Sequence, residues 1–168
     1  MTSSGGPDVF ACDSELKVGA GGHTRLMVSG GNDKTYKIKN VATGNYLDMY
    51  NGFSSENNPV VGWQGSNNIS GNQGWHIVVR DTTNHYVTLK NTAGGTYART
   101  PETVAGKGVV GSSTMQQFEL IEFETGVYNI KVKGEDLLFN LADSSDGTQV
   151  KLKAADDSKN QQWVLILL

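Results

Sequence analysis

A single cysteine, Cys12, in 168 residues excludes an internal disulfide and any cysteine-built metal site. Basic runs are missing as well: 14 Lys and Arg stand against 17 Asp and Glu, and like charges gather no further than pairs such as Asp156-Asp157. Binding nucleic acid by neutralising phosphates needs a basic patch, so no nucleic-acid partner is expected. No stretch reaches the apolar length of a membrane span, so no membrane insertion is expected. The opening MTSSGGPDVF shows neither the basic nor the apolar part of a secretory signal, and the expected location is cytoplasmic, or outside after release without a signal peptide. The acceptor pattern Asn68-Ile69-Ser70 would then stay unused.

Catalytic and cofactor patterns are equally scarce. His23, His76 and His85 are too scattered for a metal triad, and the glycines of GAGG at 19–22 precede no strand-helix-strand pattern. Asp143, Asp146, Asp156 and Asp157 fall in Gly-, Ser- and Lys-rich loops that lack the apolar pocket a general acid requires. Neither catalysis nor a cofactor is expected. Long Leu/Ala/Glu/Lys tracts are absent too, while 21 glycines are present. That balance favours short strands joined by tight turns.

What is there is regular. Residues 1–33 read as an amino-terminal arm with a short strand at 24–29, ended by the turn signal Gly30-Gly31-Asn32-Asp33. From Thr35, TYKIKN alternates Tyr36 and Ile38 inward with Lys37 and Lys39 outward; YLDM, PVVGWQ and GWHIVVR supply three further strands. HYVTLKNTAGGTYART repeats the opening of that unit, with Tyr86 matched to Tyr36, and VYNIKVKGEDLLFNLA repeats it again. Each copy closes alike, in NQGWHIV, MQQFELI and NQQWVLI, which places Trp75, Phe118 and Trp163 at separations of 43 and 45 residues. Register as well as composition therefore marks three copies, at about 34–80, 81–124 and 125–168. A four-stranded unit of this length cannot bury its own apolar side. Three of them gathered about one axis can share a core, with the closing aromatics inward and most strand edges removed.

The three closings Gln73-Gly74-Trp75, Gln116-Gln117-Phe118 and Gln161-Gln162-Trp163, together with YLDM and NPVVGWQG, resemble the ricin B-type β-trefoil lectins, closest in pattern to the disulfide-free lectins of fungi. The resemblance covers roughly residues 34–168. It implies an all-β trefoil and a lectin for galactose or N-acetylgalactosamine glycans, on glycoproteins or glycolipids, with up to one shallow site per copy. The family's sugar-binding carboxylate falls on Asp48, its stacking aromatic on Trp63 and its later amide on Asn72, with Gln73 behind them holding the loop or Asp48. In the third copy Asn140 and Asn160 fall on the carboxylate and amide positions, and no aromatic follows. In the second, Ala98 stands near the carboxylate position and Met115 replaces the amide, so that copy is expected to be inactive.

These residue types suit a neutral sugar. Its hydroxyls ask for an ionised acceptor and an amide that both donates and accepts, and its C–H face asks for a flat ring. Each residue also has a purely structural reading: Asp48 as a turn cap, Trp63 as core, Asn72 as a turn former. Phe53, in the loop after Asp48, is a further rim candidate. One good site per chain would bind modestly, and a homodimer would raise avidity. A trefoil protease inhibitor acting through one exposed loop is the alternative function.

Overall fold

The computed structural model describes residues 33–65 and 71–168. Cys12, His23, the 24–29 strand and the acceptor at 68–70 lie outside the described residues.

The described residues form an all-β trefoil. The first copy holds β1 (Lys34–Asn40), β2 (Tyr46–Met49), β3 (Val60–Trp63) and β4 (Trp75–Asp81). The second holds β5 (Tyr86–Asn91), β6 (Tyr97–Arg99), β7 (Val110–Ser112) and β8 (Phe118–Glu124). The third holds β9 (Val127–Val132), β10 (Leu138–Asn140), β11 (Lys151–Lys153) and β12 (Trp163–Leu167). Antiparallel pairing runs β1–β4–β5–β8–β9–β12 and returns to β1, so six strands close a barrel without a free edge. The remaining strands pair as β2–β3, β6–β7 and β10–β11, one hairpin per copy.

Period-two alternation decides which side chains fill the barrel. Ile38, Trp75, Ile77, Leu89, Phe118, Ile130, Trp163 and Leu165 are fully buried there. The Trp75 indole N–H donates to the Leu47 carbonyl at 2.9 Å and that of Trp163 to the Phe139 carbonyl at 3.3 Å, so each buried indole satisfies its polar edge on its own copy's hairpin. Lys37 and Lys39 point outward, their ammonium groups 4.9 and 5.8 Å from the Tyr46 ring. One expected correspondence shifts by a residue. The pairings Lys39↔Tyr46 and Lys90↔Tyr97 align Tyr36 with Val87, not with Tyr86. Val87 is the buried residue, and Tyr86 lies outside beneath the Lys133 ammonium. The tyrosine at the start of YVTLKN hid the shift, because it resembles Tyr36 in type while standing one position earlier.

The three hairpins meet at the axis. Val60 N–H donates to the Val109 carbonyl, Val109 N–H to that of Val150, and Val150 N–H back to Val60, each at 2.9 Å. This closed triangle locks the copies together through backbone groups that would otherwise be unpaired and buried. Around it, bulk is exchanged between copies. A Cβ on Gly62 would lie 2.5 Å from Leu141 Cδ2, and one on Gly111 2.7 Å from Met49 Cε. In the third copy Leu152 takes the glycine's place, and the second copy puts the smaller Thr100 where the others have Met49 and Leu141. At two of the three seams a large side chain of one copy thus stands against a glycine of another. Gly62→Ala is therefore expected to destabilise the fold by about 1–3 kcal/mol through overpacking against Leu141. Chemical denaturation reads this directly, and an unchanged midpoint would contradict the packing described.

Candidate carbohydrate site

Leu47 and Met49 of β2 face the core, so alternation turns Asp48 the opposite way. There it is covered by the neighbouring strand and by the 3-10 turn Gly71–Gln73, which leaves it 5% exposed. Asp48, Asn51, Trp63, Gln64, Gly65, Asn72 and Gln73 together line one hollow of about 330 Å³. Asp48, Trp63, Asn72 and Gln73 are thus brought together from β2, β3 and the turn before β4.

Gln73 orders the carboxylate. Its Nε2 donates to Asp48 Oδ2 at 3.0 Å and to the Gln64 carbonyl at 3.1 Å, tying the acid to the end of β3. The same second bond recurs in the third copy, where Gln161 Nε2 donates to the Ala154 carbonyl at 2.9 Å. In the second copy Gln116 instead clamps Thr100 through its main-chain N–H and its hydroxyl.

Burial pushes the Asp48 carboxyl up from the ordinary 3.8 to about 6; the Gln73 hydrogen bond works against that rise and the charge of Asp146 adds to it. Because the folded chain holds this proton more tightly than the unfolded one, the group favours folding below about pH 4, and that contribution is lost as pH rises through about 6. The difference is expected to be roughly 1–2 kcal/mol, allowing for solvent reaching the hollow. Asp48→Asn should flatten this slope between about pH 4 and 7, as read from denaturation midpoints; a slope identical to wild type would assign it to other groups.

Three lining residues were not among the sequence candidates. Asn51 adopts the left-handed conformation, φ 54°, which Asn tolerates better than most residues. The pair Asn51-Gly52 carries a recognisable turn signal, and Gly52 is needed: at φ 66° it lies where a Cβ would come within 2.5 Å of Asn72 Oδ1. Gln64 and Gly65 carry no comparable signal.

Phe53, by contrast, does not line this hollow. The chain becomes extended after Gly52, and Phe53 is 53% exposed and not among the residues that line the hollow. The second copy corrects another assignment. The pairing of β6 with β7 puts Ala98 at the place of the core residue Leu47, and Arg99 at the place of Asp48. Ser112 stands at the place of Trp63 and is bonded to Glu56, and Met115 is exposed. In the third copy Asn140 does take the carboxylate's place, but Lys153 takes that of the indole and is ion-paired with Asp156 at 2.9 Å. The amide of Asn160 is used on the Leu141 carbonyl at 2.8 Å. Asn140 Oδ1 is buried without a hydrogen-bond partner among the described residues. The carboxylate, ring and amide set is complete in the first copy alone.

A trefoil with this polar, ring-walled hollow has the form of a carbohydrate-binding lectin domain. The chain matches the model of the ricin-type beta-trefoil lectin domain-like family over residues 25–110 and 71–153, and it belongs to that family. Among solved structures it is similar to a designed threefold-symmetric protein, ThreeFoil, with 25% identity and a TM-score of 0.73 over 80% of this chain and 99% of that one. It is also similar to the Rhizoctonia solani agglutinin, with 26% identity and a TM-score of 0.73 over 81% and 96% of the two chains. The Macrolepiota procera ricin B-like lectin, solved in complex with lactose, aligns at 25% identity and a TM-score of 0.69 over 85% of this chain and all of its own. No curated protein sequence matches the chain significantly. Among the described residues there is no cluster of three or more metal-ligating side chains, and no helix long and apolar enough to cross a membrane.

Proposed function

We propose that the Asp48 hollow binds the terminal galactose or N-acetylgalactosamine of a glycan, and that the protein acts as a lectin through this site. The observation that carries the reading is the convergence of an oriented carboxylate, a partly exposed indole and an amide on one hollow. Asp48 accepts hydroxyl hydrogens through charge-assisted bonds, Trp63 receives a C–H face, and Asn72 both donates and accepts. The lactose complex of the Macrolepiota procera lectin supports a galactose-type ligand. With one complete site per chain, self-association into a homodimer would supply the avidity needed at a cell surface.

A glycan array probed with the full chain tests the sugar class. Galactose- or N-acetylgalactosamine-terminated glycans should dominate and be displaced by the free sugar; binding confined to glucose or mannose glycans would contradict the reading. The acid also sets a pH dependence. Hydroxyl donors favour its ionised form, so affinity should be full above about pH 7 and fall as pH drops through about 6. Calorimetric titrations across that range check this, and a flat profile would remove Asp48 from the contact.

A further inference from the structure

Trp63 walls a second hollow besides the one described. This one, of about 430 Å³, lies between the first and third copies and is lined by Tyr50, Val61, Asp146, Gly147 and Gln149 as well as the indole. We infer that it is a subsite for the next sugar of a longer neutral glycan whose terminal residue occupies the Asp48 hollow, so that the chain crosses the edge of Trp63. The inference rests on the function proposed above.

The rings favour a sugar. Tyr50 and Trp63 are not stacked on each other: their centroids are 6.3 Å apart and their planes meet at 54°, so they form two walls of an open wedge. Amphipathic rings held half in water suit the mixed C–H and hydroxyl surface of a pyranose. The wedge belongs to the first copy only. Chain order after the aligned hairpins gives Pro101 and Ala142 at the place of Tyr50, and Ser112 and Lys153 stand at that of Trp63. Both rings therefore accompany the one copy that has the carboxylate.

Polar groups are fixed around the wedge. Asp146 Oδ1 accepts the Gln64 N–H at 2.8 Å, which holds the carboxylate in place, and a carboxylate retains capacity for further donors. Gln149 is held by its Nε2, which donates to the Val109 carbonyl at 3.1 Å. Gln64 lines the first hollow, so the Asp146 contact bridges the two, and the charge of Asp146 is felt at Asp48. Gly147 passes over the indole at φ 94°, where a Cβ would sit 3.7 Å from Trp63 Cζ3, and its N–H donates to the Gly62 carbonyl. That conformation favours glycine and leaves the edge between the hollows uncovered by a side chain. One carboxylate in each hollow disfavours sialylated or sulfated sugars.

Calorimetry on the full chain with galactose, and with the galactose-terminated di- and trisaccharides that bind best on an array, tests the subsite. The best disaccharide should bind about tenfold tighter than galactose, the gain expected of one further stacked and hydrogen-bonded sugar. Tyr50 makes its structural bonds to Asn58 and Phe53 through its carbonyl, so Tyr50→Ala leaves them in place. This variant should lose most of the tenfold gain and keep galactose affinity within about twofold. Asp146→Asn, which retains an acceptor for the Gln64 amide, should also lower the disaccharide-to-galactose ratio, measured near pH 7.5 where Asp48 is ionised. Equal affinity for both sugars in the wild type, or a ratio unchanged in both variants, overturns the subsite while the galactose site stands. Absence of galactose binding by the wild type overturns the proposed function, and the subsite with it.

Discussion

Asp48→Ala is expected to lower affinity for galactose-type sugars by at least about 100-fold, taking a weak site below detection. The carboxylate is the one ionised acceptor buried in the first hollow, and hydrogen bonds to a charged group contribute about 1.5–3 kcal/mol each, so losing two of them removes most of a modest binding energy. The fold should survive. Asp48 projects away from the core on β2, and β2 keeps its ladder with β3 whichever side chain stands there. Because burying this charge opposes folding at neutral pH, Asp48→Asn should raise the denaturation midpoint near pH 7 while also weakening binding. That opposition of stability and binding is the signature of a charge kept for a ligand. Calorimetry paired with chemical denaturation checks both halves, and a variant that retains sugar affinity would dismiss Asp48 as a contact.

The closing tryptophans carry the largest stability effects. Trp75 and Trp163 are fully buried, and each ties the barrel to a hairpin by its indole N–H. Their replacement by alanine should cost about 3–5 kcal/mol apiece from lost burial and the cavity left behind. The Leu47 or Phe139 carbonyl also loses its partner. Phenylalanine is the informative second substitution, because the second copy already places Phe118 at this position, against Phe139 with ring centroids 5.1 Å apart. Trp75→Phe should fold and cost only about 1–2 kcal/mol, mostly for the unpaired carbonyl. Denaturation curves separate these cases, and an alanine variant losing less than about 1 kcal/mol would mean the indole is not core.

Much of this was legible because a threefold repeat writes each structural requirement three times. Alternation in TYKIKN and the spacing of Trp75, Phe118 and Trp163 fixed the barrel strands and the inward aromatics, since period and register both answer to one shared core. Asp48, Trp63 and Asn72 were legible only through the resemblance to the lectin family, carried onto matching positions of the first copy, and all three line one hollow. Legibility failed where copies diverge. Volume exchange around Gly62, Gly111 and Leu152 depends on residues from different copies, which no single unit reveals. Reading Ala98 for Arg99 and Tyr86 for Val87 were slips of one residue, which turn a strand position from one face to the other. In the loop after Asp48 it is Asn51, at the left-handed Asn51-Gly52 turn, and not Phe53 that lines the hollow, and residue type alone does not foretell which of the two that turn places there.

The central claim is that one hollow, in the first copy, holds the sugar. The three tryptophans Trp63, Trp75 and Trp163 give three indole N–H signals in a nitrogen-15 NMR spectrum of the labelled protein, which makes the direct measurement a titration of those signals with galactose. The Trp63 signal should shift and saturate at one sugar per chain, with Trp75 and Trp163 left in place by their buried bonds. A Trp63 signal that stays still while galactose binds, or saturation at two or three sugars per chain, would contradict the account.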